Sequence, residues 1–167
     1  MRRPFAIVGS VLFFLIAPAF VAGVVPWWMT HWSCGPPILH FPAGRVFGAF
    51  LILVGIAPLL DSFARFALEG LGTPAPVAPT EHLVMTGFYR HVRNPMYVGV
   101  VAAVLGQALL FGNLRVLIYG FLLWGAFHLF VISYEEPTLR KSFASQYEEF
   151  SSHVPRWIPR VKPWRSG

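Results

Sequence analysis

Charge is what this chain has least of: Lys, Arg, Asp and Glu make up 12% of its 167 residues, roughly half the ~25% of an ordinary soluble domain. So few solvating groups argue against a soluble dinucleotide-binding enzyme, and no glycine fingerprint of the strand–turn–helix kind is present either. Disorder is excluded from the other side. It needs low hydrophobicity and high charge, whereas 56% of this chain is hydrophobic. Cysteine is nearly missing too: Cys34 stands alone, so neither an intrachain disulfide nor a cysteine-based metal cluster can form.

What is present is apolar and arranged in blocks. After Arg2 and Arg3 the next charge is Arg45, and the apolar run over residues 4–29 exceeds the ~20 residues that cross a bilayer. Residues 46–60, closed by Asp61 and Arg65, then 94–114 and 116–134 form three further runs. Four such runs predict an all-α polytopic membrane protein. It comprises four transmembrane helices and a C-terminal amphipathic helix, in one domain over residues 1–167. The opening arginines followed by Ala17, Ala19 and Ala22 look like a secretory signal. The apolar run outlasts a signal's ~7–15 residues, so the first helix is read as retained.

Lys and Arg placement orients the chain. With the N-terminus in the cytoplasm, Arg2, Arg3, Arg65, Arg90, Arg93, Arg140, Lys141, Arg156, Arg160, Lys162 and Arg165 fall on that side. Only Arg45 and Arg115 fall outside. Both termini are then cytoplasmic, and the membrane is read as a bacterial-type inner membrane rather than an organelle's. The net charge of +6 belongs to a face beside anionic lipid. No nucleic-acid partner is expected, and no protein partner is evident.

Along the chain, Pro18 and Pro58 mark kinks in helices one and two, the second expected over residues 43–68. Trp27, Trp28 and Trp32 suit headgroup depth. Residues 30–44, with Pro36, Pro37 and Pro42, read as an irregular outer loop. The stretch GLGTPAPVAP at 70–79 is a linker that cannot be helical. Helix three is expected over 95–111 with Pro95 at its first position, and Gly112-Asn113 turns it into helix four. That helix is expected to end at Glu135-Glu136-Pro137. Beyond it Leu139, Phe143, Tyr147 and Phe150 form one apolar stripe, and the basic, proline-punctuated tail VPRWIPRVKPW at 154–164 suits an interface.

The densest polar clusters stand at the two ends of the three–four hairpin, residues 87–99 on one side and Glu135-Glu136 on the other. The hairpin returns both to one membrane face. Two acids at a helix C-terminus oppose its dipole, and a local rule broken at a membrane boundary marks a candidate site. Its plain alternative is pairing of the glutamates with Arg140 or Lys141. Arginines facing these acids suit a zwitterionic or cationic ligand with an apolar body. Arg90, Arg93 and Arg156 are candidates to orient an acceptor, the last equally a headgroup-phosphate binder. Asp61 reads as the partner of Arg65 four residues on, with the wall of an acceptor tunnel as the sharper alternative. His128 reads as a hydrogen-bonded packing residue, and Gln107 as an interhelical hydrogen-bonder. No metal site is expected.

The string TGFYRHVRNPMYVG, the E-E doublet, the F-x-x-x-Y-x-x-F helix and the VPRWIPR tail resemble the integral membrane methyltransferases. These include the isoprenylcysteine carboxyl methyltransferases and phospholipid N-methyltransferases. The resemblance covers residues 70–164. It implies S-adenosylmethionine as methyl donor at the cytoplasmic face, with Arg93, Asn94, Pro95, Tyr97, Gly99, Glu135 and Glu136 in its site. Tyr89 and Tyr97 are read beside it as rings able to stack on or hydrogen-bond the adenosine, and Arg90, Arg93 and Glu136 as the catalytic candidates. The acceptor is expected to be lipophilic or amphipathic, a membrane lipid or small molecule with a carboxylate or an amine. Many similar chains carry His where this one has Asn94, which can hydrogen-bond but not titrate. Two alternatives remain open. One is an NAD(P)H-dependent membrane reductase of the sterol-reductase type, which shows an R-D pair where E-E stands here. The other is a non-enzymatic protein retaining the fold.

Overall fold

The computed structural model describes residues 16–38, 41, 43–70 and 82–165, with Val8 and Leu12 besides. Arg2, Arg3, most of the first half of helix one, Pro42, and the linker with Thr80 and Glu81 lie outside the described residues. Every regular element among the described residues is helical.

Helix α1 (Phe20–Thr30) begins with a π-turn, Phe20–Val24, just after Pro18. Pro26 within it has no N–H to give to Ala22, four residues back. The orphaned Ala22 carbonyl accepts instead from Gln107 Nε2 at 2.6 Å, and the Val21 carbonyl accepts from the Tyr119 hydroxyl at 3.0 Å. Gln107 is thus the interhelical bonder expected of it. Two broken backbone bonds have become the polar ties between α1 and the hairpin.

Helix α2 (Ala43–Arg65) carries Pro58 in its interior and runs on into a π-turn, Phe66–Gly70. It packs antiparallel against α3 (Pro95–Phe111) along a seam of glycines. A Cβ on Gly48 would lie 2.5 Å from the Gly106 carbonyl oxygen, and one on Gly99 would lie 2.5 Å from that of Gly55. Paired glycines seven apart on each helix therefore let the two backbones touch, as small residues do between membrane helices.

Helix α3 keeps the boundaries expected from sequence: Pro95 stands in its first turn and left-handed Gly112 (φ 66°) ends it. The Asn113 side chain then accepts from the N–H groups of Arg115 and Val116, capping α4 (Leu114–Phe130). Pro137 does not end the helix that follows. A π-turn, Val131–Glu135, leads straight into α5 (Glu136–His153), with Pro137 in the first turn of α5 where it is tolerated. The stripe on α5 is as expected: Tyr147 and Phe150 are buried, Leu139 and Phe143 pack beside them, and Arg140, Lys141, Glu148 and Glu149 face outward. Ala144 (φ 38°, ψ −117°) kinks that helix midway.

Among the described residues two helices, Ala43–Arg65 and the continuous Leu114–His153, are long and apolar enough to cross a membrane. The all-helical expectation is met, while by length two of the four expected crossings are seen. Helix α3 has 17 residues, about 25 Å at ~1.5 Å each, and α1 is shorter still. Phe121, Leu122 and Leu129 of α4 are exposed, as lipid-facing side chains are.

Candidate functional site

The three–four hairpin, now α3 and α4, brings residues 87–97 and 135–136 to the same end of the molecule. A 3₁₀ turn, Gly87–Arg90, precedes α3. Asp61 on α2 holds it, accepting from the Phe88 N–H at 2.9 Å. Arg65 ties Asp61 (3.2 Å) to Glu69 (2.6 Å), and the Thr86 hydroxyl donates to Glu69. Gly87 stands at φ 57° with its Cα against the Asp61 carboxylate, where a Cβ would collide. The row 61–65–69 therefore does more than pair along its own helix. It docks the next segment, and Asp61 is not among the residues lining the cleft described below.

That cleft is narrow, about 20 Å³, and is lined by Phe66, Tyr89, Arg93, Asn94, Met96, Tyr97 and Glu135. It is far smaller than the ~300–1,000 Å³ of typical small-molecule sites. Part of the lining is aromatic: Phe66 meets Tyr89 edge-on at 5.8 Å, and Tyr97 packs on Phe127 at 4.7 Å. The rest is polar or charged, Met96 apart. The Tyr97 hydroxyl donates to Glu135 Oε2 at 2.9 Å. Arg93 presents a buried Nε that has no hydrogen-bond partner.

Adjacent glutamates take separate walls, since successive helical residues point ~100° apart. Glu135 faces the cleft. Glu136 is buried behind it, accepting from Arg93 Nη1 at 3.1 Å and from Arg156 Nε and Nη2 at 2.6 and 3.0 Å. Burial alone would raise the Glu136 carboxyl. The Arg156 hydrogen bond and the charges of Arg93, Arg156 and Arg140 outweigh burial and hold it below the ordinary range. The Arg156 guanidinium is raised in return, first by its bond to Glu136. Burial pushes the Tyr89 and Tyr147 phenols up, so both are neutral at physiological pH.

Arg156 belongs to a strap, residues 154–164, that runs antiparallel to residues 90–94. The N–H of Arg93 donates to the Pro155 carbonyl, that of Arg160 to His91, and that of Trp164 to Arg90, each at 2.9 Å. Side chains add to the ladder: Arg90 Nε donates to the Trp164 carbonyl at 2.7 Å, Asn94 Nδ2 donates to that of Arg156 at 3.1 Å, and His91 Nδ1 pairs with that of Arg160 at 2.8 Å.

Of the residues singled out from sequence, Tyr89, Arg93, Asn94, Tyr97 and Glu135 meet in the cleft. The others stand elsewhere: Arg90 holds the strap, Pro95 starts α3, Gly99 packs on α2, and Glu136 locks two arginines. Phe66 and Met96 line the cleft without having been singled out. Phe66 sits just past the charged end of α2, and Met96 is part of the very string that carries the motif, which is the signal that could have found them. His128 is the packing residue foreseen, its Nδ1 accepting from Trp157 Nε1 at 3.0 Å.

Comparison with known proteins adds a family. Residues 43–146 match the family model described as phospholipid methyltransferase. Over 83 residues, 48% of this chain, the sequence is 36% identical to the protein-S-isoprenylcysteine O-methyltransferase of Schizosaccharomyces pombe. That match spans 35% of the yeast protein's length.

Proposed function

Since the chain belongs to the phospholipid methyltransferase family, we propose that it is a membrane enzyme that uses S-adenosylmethionine to methylate a lipophilic or amphipathic acceptor at the cytoplasmic face. One observation carries the reading. A guanidinium with an unpaired, buried N–H (Arg93 Nε) and a carboxylate (Glu135) line the same cleft as the rings of Phe66, Tyr89 and Tyr97.

Those residues fit the donor's chemistry. Arg93 Nε would hold its carboxylate, Glu135 would face its positive charges, and Tyr89 and Tyr97 offer ring faces to the adenosine. When bound, the donor supplies an activated methyl group whose sulfur departs as a neutral thioether, so the protein has chiefly to align an acceptor in line with it. At about 20 Å³ the cleft is far too narrow for such a ligand as it stands, so its walls must part on binding. A carboxylate acceptor has no proton to lose and needs only an arginine to orient it. An amine must arrive deprotonated. Glu136 keeps Arg93 in place from behind.

In this reading α3 crosses as well, since ~17 residues is the low end of a spanning helix, and the first apolar run, residues 4–29, supplies a fourth crossing. Acceptors enter laterally from the bilayer.

Calorimetry decides between donors. S-adenosylhomocysteine should bind the purified protein and NADPH should not. Glu135→Gln should weaken the former by 10-fold or more, an unpaired charge in a desolvated site costing at least ~1.4 kcal/mol. Binding of NADPH alone would overturn the reading in favour of a reductase.

A further inference from the structure

The strap has a second side. Inward, Val154 and Trp164 are buried and Trp157 is fixed on α4, hydrogen-bonded to His128 and edge-on to Trp124 at 6.4 Å. Outward, Ile158 and Val161 are 80% and 94% exposed, the most exposed large hydrophobic residues among those described. Pro155, Pro159 and Pro163 are exposed beside them, as are the cations Lys162 and Arg165. Nothing among the described residues covers this face.

Its depth is set by the Trp157–His128 contact. His128 lies 14 residues along α4 from Leu114, about 21 Å, and so in the cytoplasmic third of a hydrocarbon layer ~30 Å thick. Leu129 is the next residue of α4 and is exposed as lipid-facing residues are. The outer side of the strap therefore continues the lipid-facing surface of α4 toward the headgroups. An indole at that depth is at home, and apolar side chains rimmed by cations complement an anionic leaflet. The nearest described acids on α5 do not cancel that charge: Glu148 is paired with Arg140, and Glu136 is buried between Arg93 and Arg156. Glu149 is exposed on the same helix.

We propose that the outer face of residues 154–164 is a docking surface for an anionic lipid leaflet. Ile158 and Val161 enter the acyl–headgroup boundary, and Lys162 and Arg165 meet the lipid phosphates. Because the inner face of the same segment delivers Arg156 to Glu136, lipid docking and closure of that ionic lock are one event. Docking of this kind does not depend on methyl transfer.

The test uses the full chain carrying Cys34→Ser and Val161→Cys, labelled with an environment-sensitive fluorophore in lipid nanodiscs. Adding phosphatidylglycerol to phosphatidylcholine should shift the emission to the blue, and high salt should reverse the shift. Lys162→Gln with Arg165→Gln should weaken the association about 30-fold. Hydrogen exchange at the Arg160 and Trp164 amides, which hold the strap to residues 90–91, should slow in the anionic discs. Water-like emission in both lipids would overturn the proposal, as would a shift indifferent to lipid charge and to salt. A shift that instead grows with the number of chains per disc would overturn it in favour of a second copy on this face.

Discussion

The waist and the base of this protein are held together by different physics. At the waist, α2 and α3 meet through Gly48, Gly55, Gly99 and Gly106, backbone against backbone. At the base, residues 61–69, 86–97, 135–136 and 154–164 are joined by charges and hydrogen bonds, few of them local in sequence. The waist is a matter of shape, and the base a matter of compensation. Apolar helices in lipid gain little by leaving one hydrocarbon surface for another, so their closeness must come from small residues. Buried charges must be answered by other charges wherever the chain can bring them.

The contrast breaks most severely at the waist. Gly55→Leu places a side chain where even a Cβ would stand 2.7 Å from the Gly99 carbonyl oxygen. Overpacking of that size should cost at least ~3 kcal/mol, lowering the thermal midpoint in detergent by about 10 °C. An unchanged midpoint would mean the helices are held together elsewhere than at this seam.

A smaller loss is expected at the base. Glu136→Gln leaves Arg93 and Arg156 without their anion, at a cost of about 2 kcal/mol, below the ~3 kcal/mol of a fully buried pair because Arg156 is one-third exposed. The pH dependence has a definite sign. The folded carboxyl sits below its ordinary value, so its contribution is complete above the unfolded value of ~4.3. It is lost as pH falls through the lower folded value. Thermal midpoints of wild type and Glu136→Gln should differ at pH 7 and draw together as pH falls below ~4.3 and through the lower folded value; a gap that does not narrow over that range would rule out the ionic lock as the source of the difference.

The least effect sharpens the contrast within the base. Trp157→Phe keeps a ring against Trp124 but removes the N–H given to His128, a neutral bond worth about 1 kcal/mol. Amide exchange over residues 155–164 should quicken about 5-fold for that cost, while exchange in α3 stays put. A loss as large as that of Glu136→Gln would show that the strap hangs on its indole rather than on its charge.

Much of the fold and part of the site are legible in the sequence alone. Pro95 and Gly112 bracket α3 because one tolerates a missing N–H and the other a left-handed φ, both local properties. The stripe Leu139, Phe143, Tyr147 and Phe150 is a periodicity, readable anywhere. The consequences of broken periodicity are not legible in the same way. Pro137 reads as a stop, but the π-turn before it carries the helix on. Glu135 and Glu136 read as a pair, yet they serve different walls. Arg90 and Arg93 read as equivalents, but one holds the strap and the other faces the cleft.

Sequence by itself determined the solvent, the number of apolar runs and the cluster of chemistry, because hydrophobic length and charge placement act through averages over many residues. Tertiary structure decided which charge answers which: that Asp61 reaches Phe88, that Arg156 returns 20 residues to Glu136, and that Arg93 keeps one N–H free. Those outcomes depend on angles of a single helical turn and on where a proline-rich strap folds back, and no average over residues carries them.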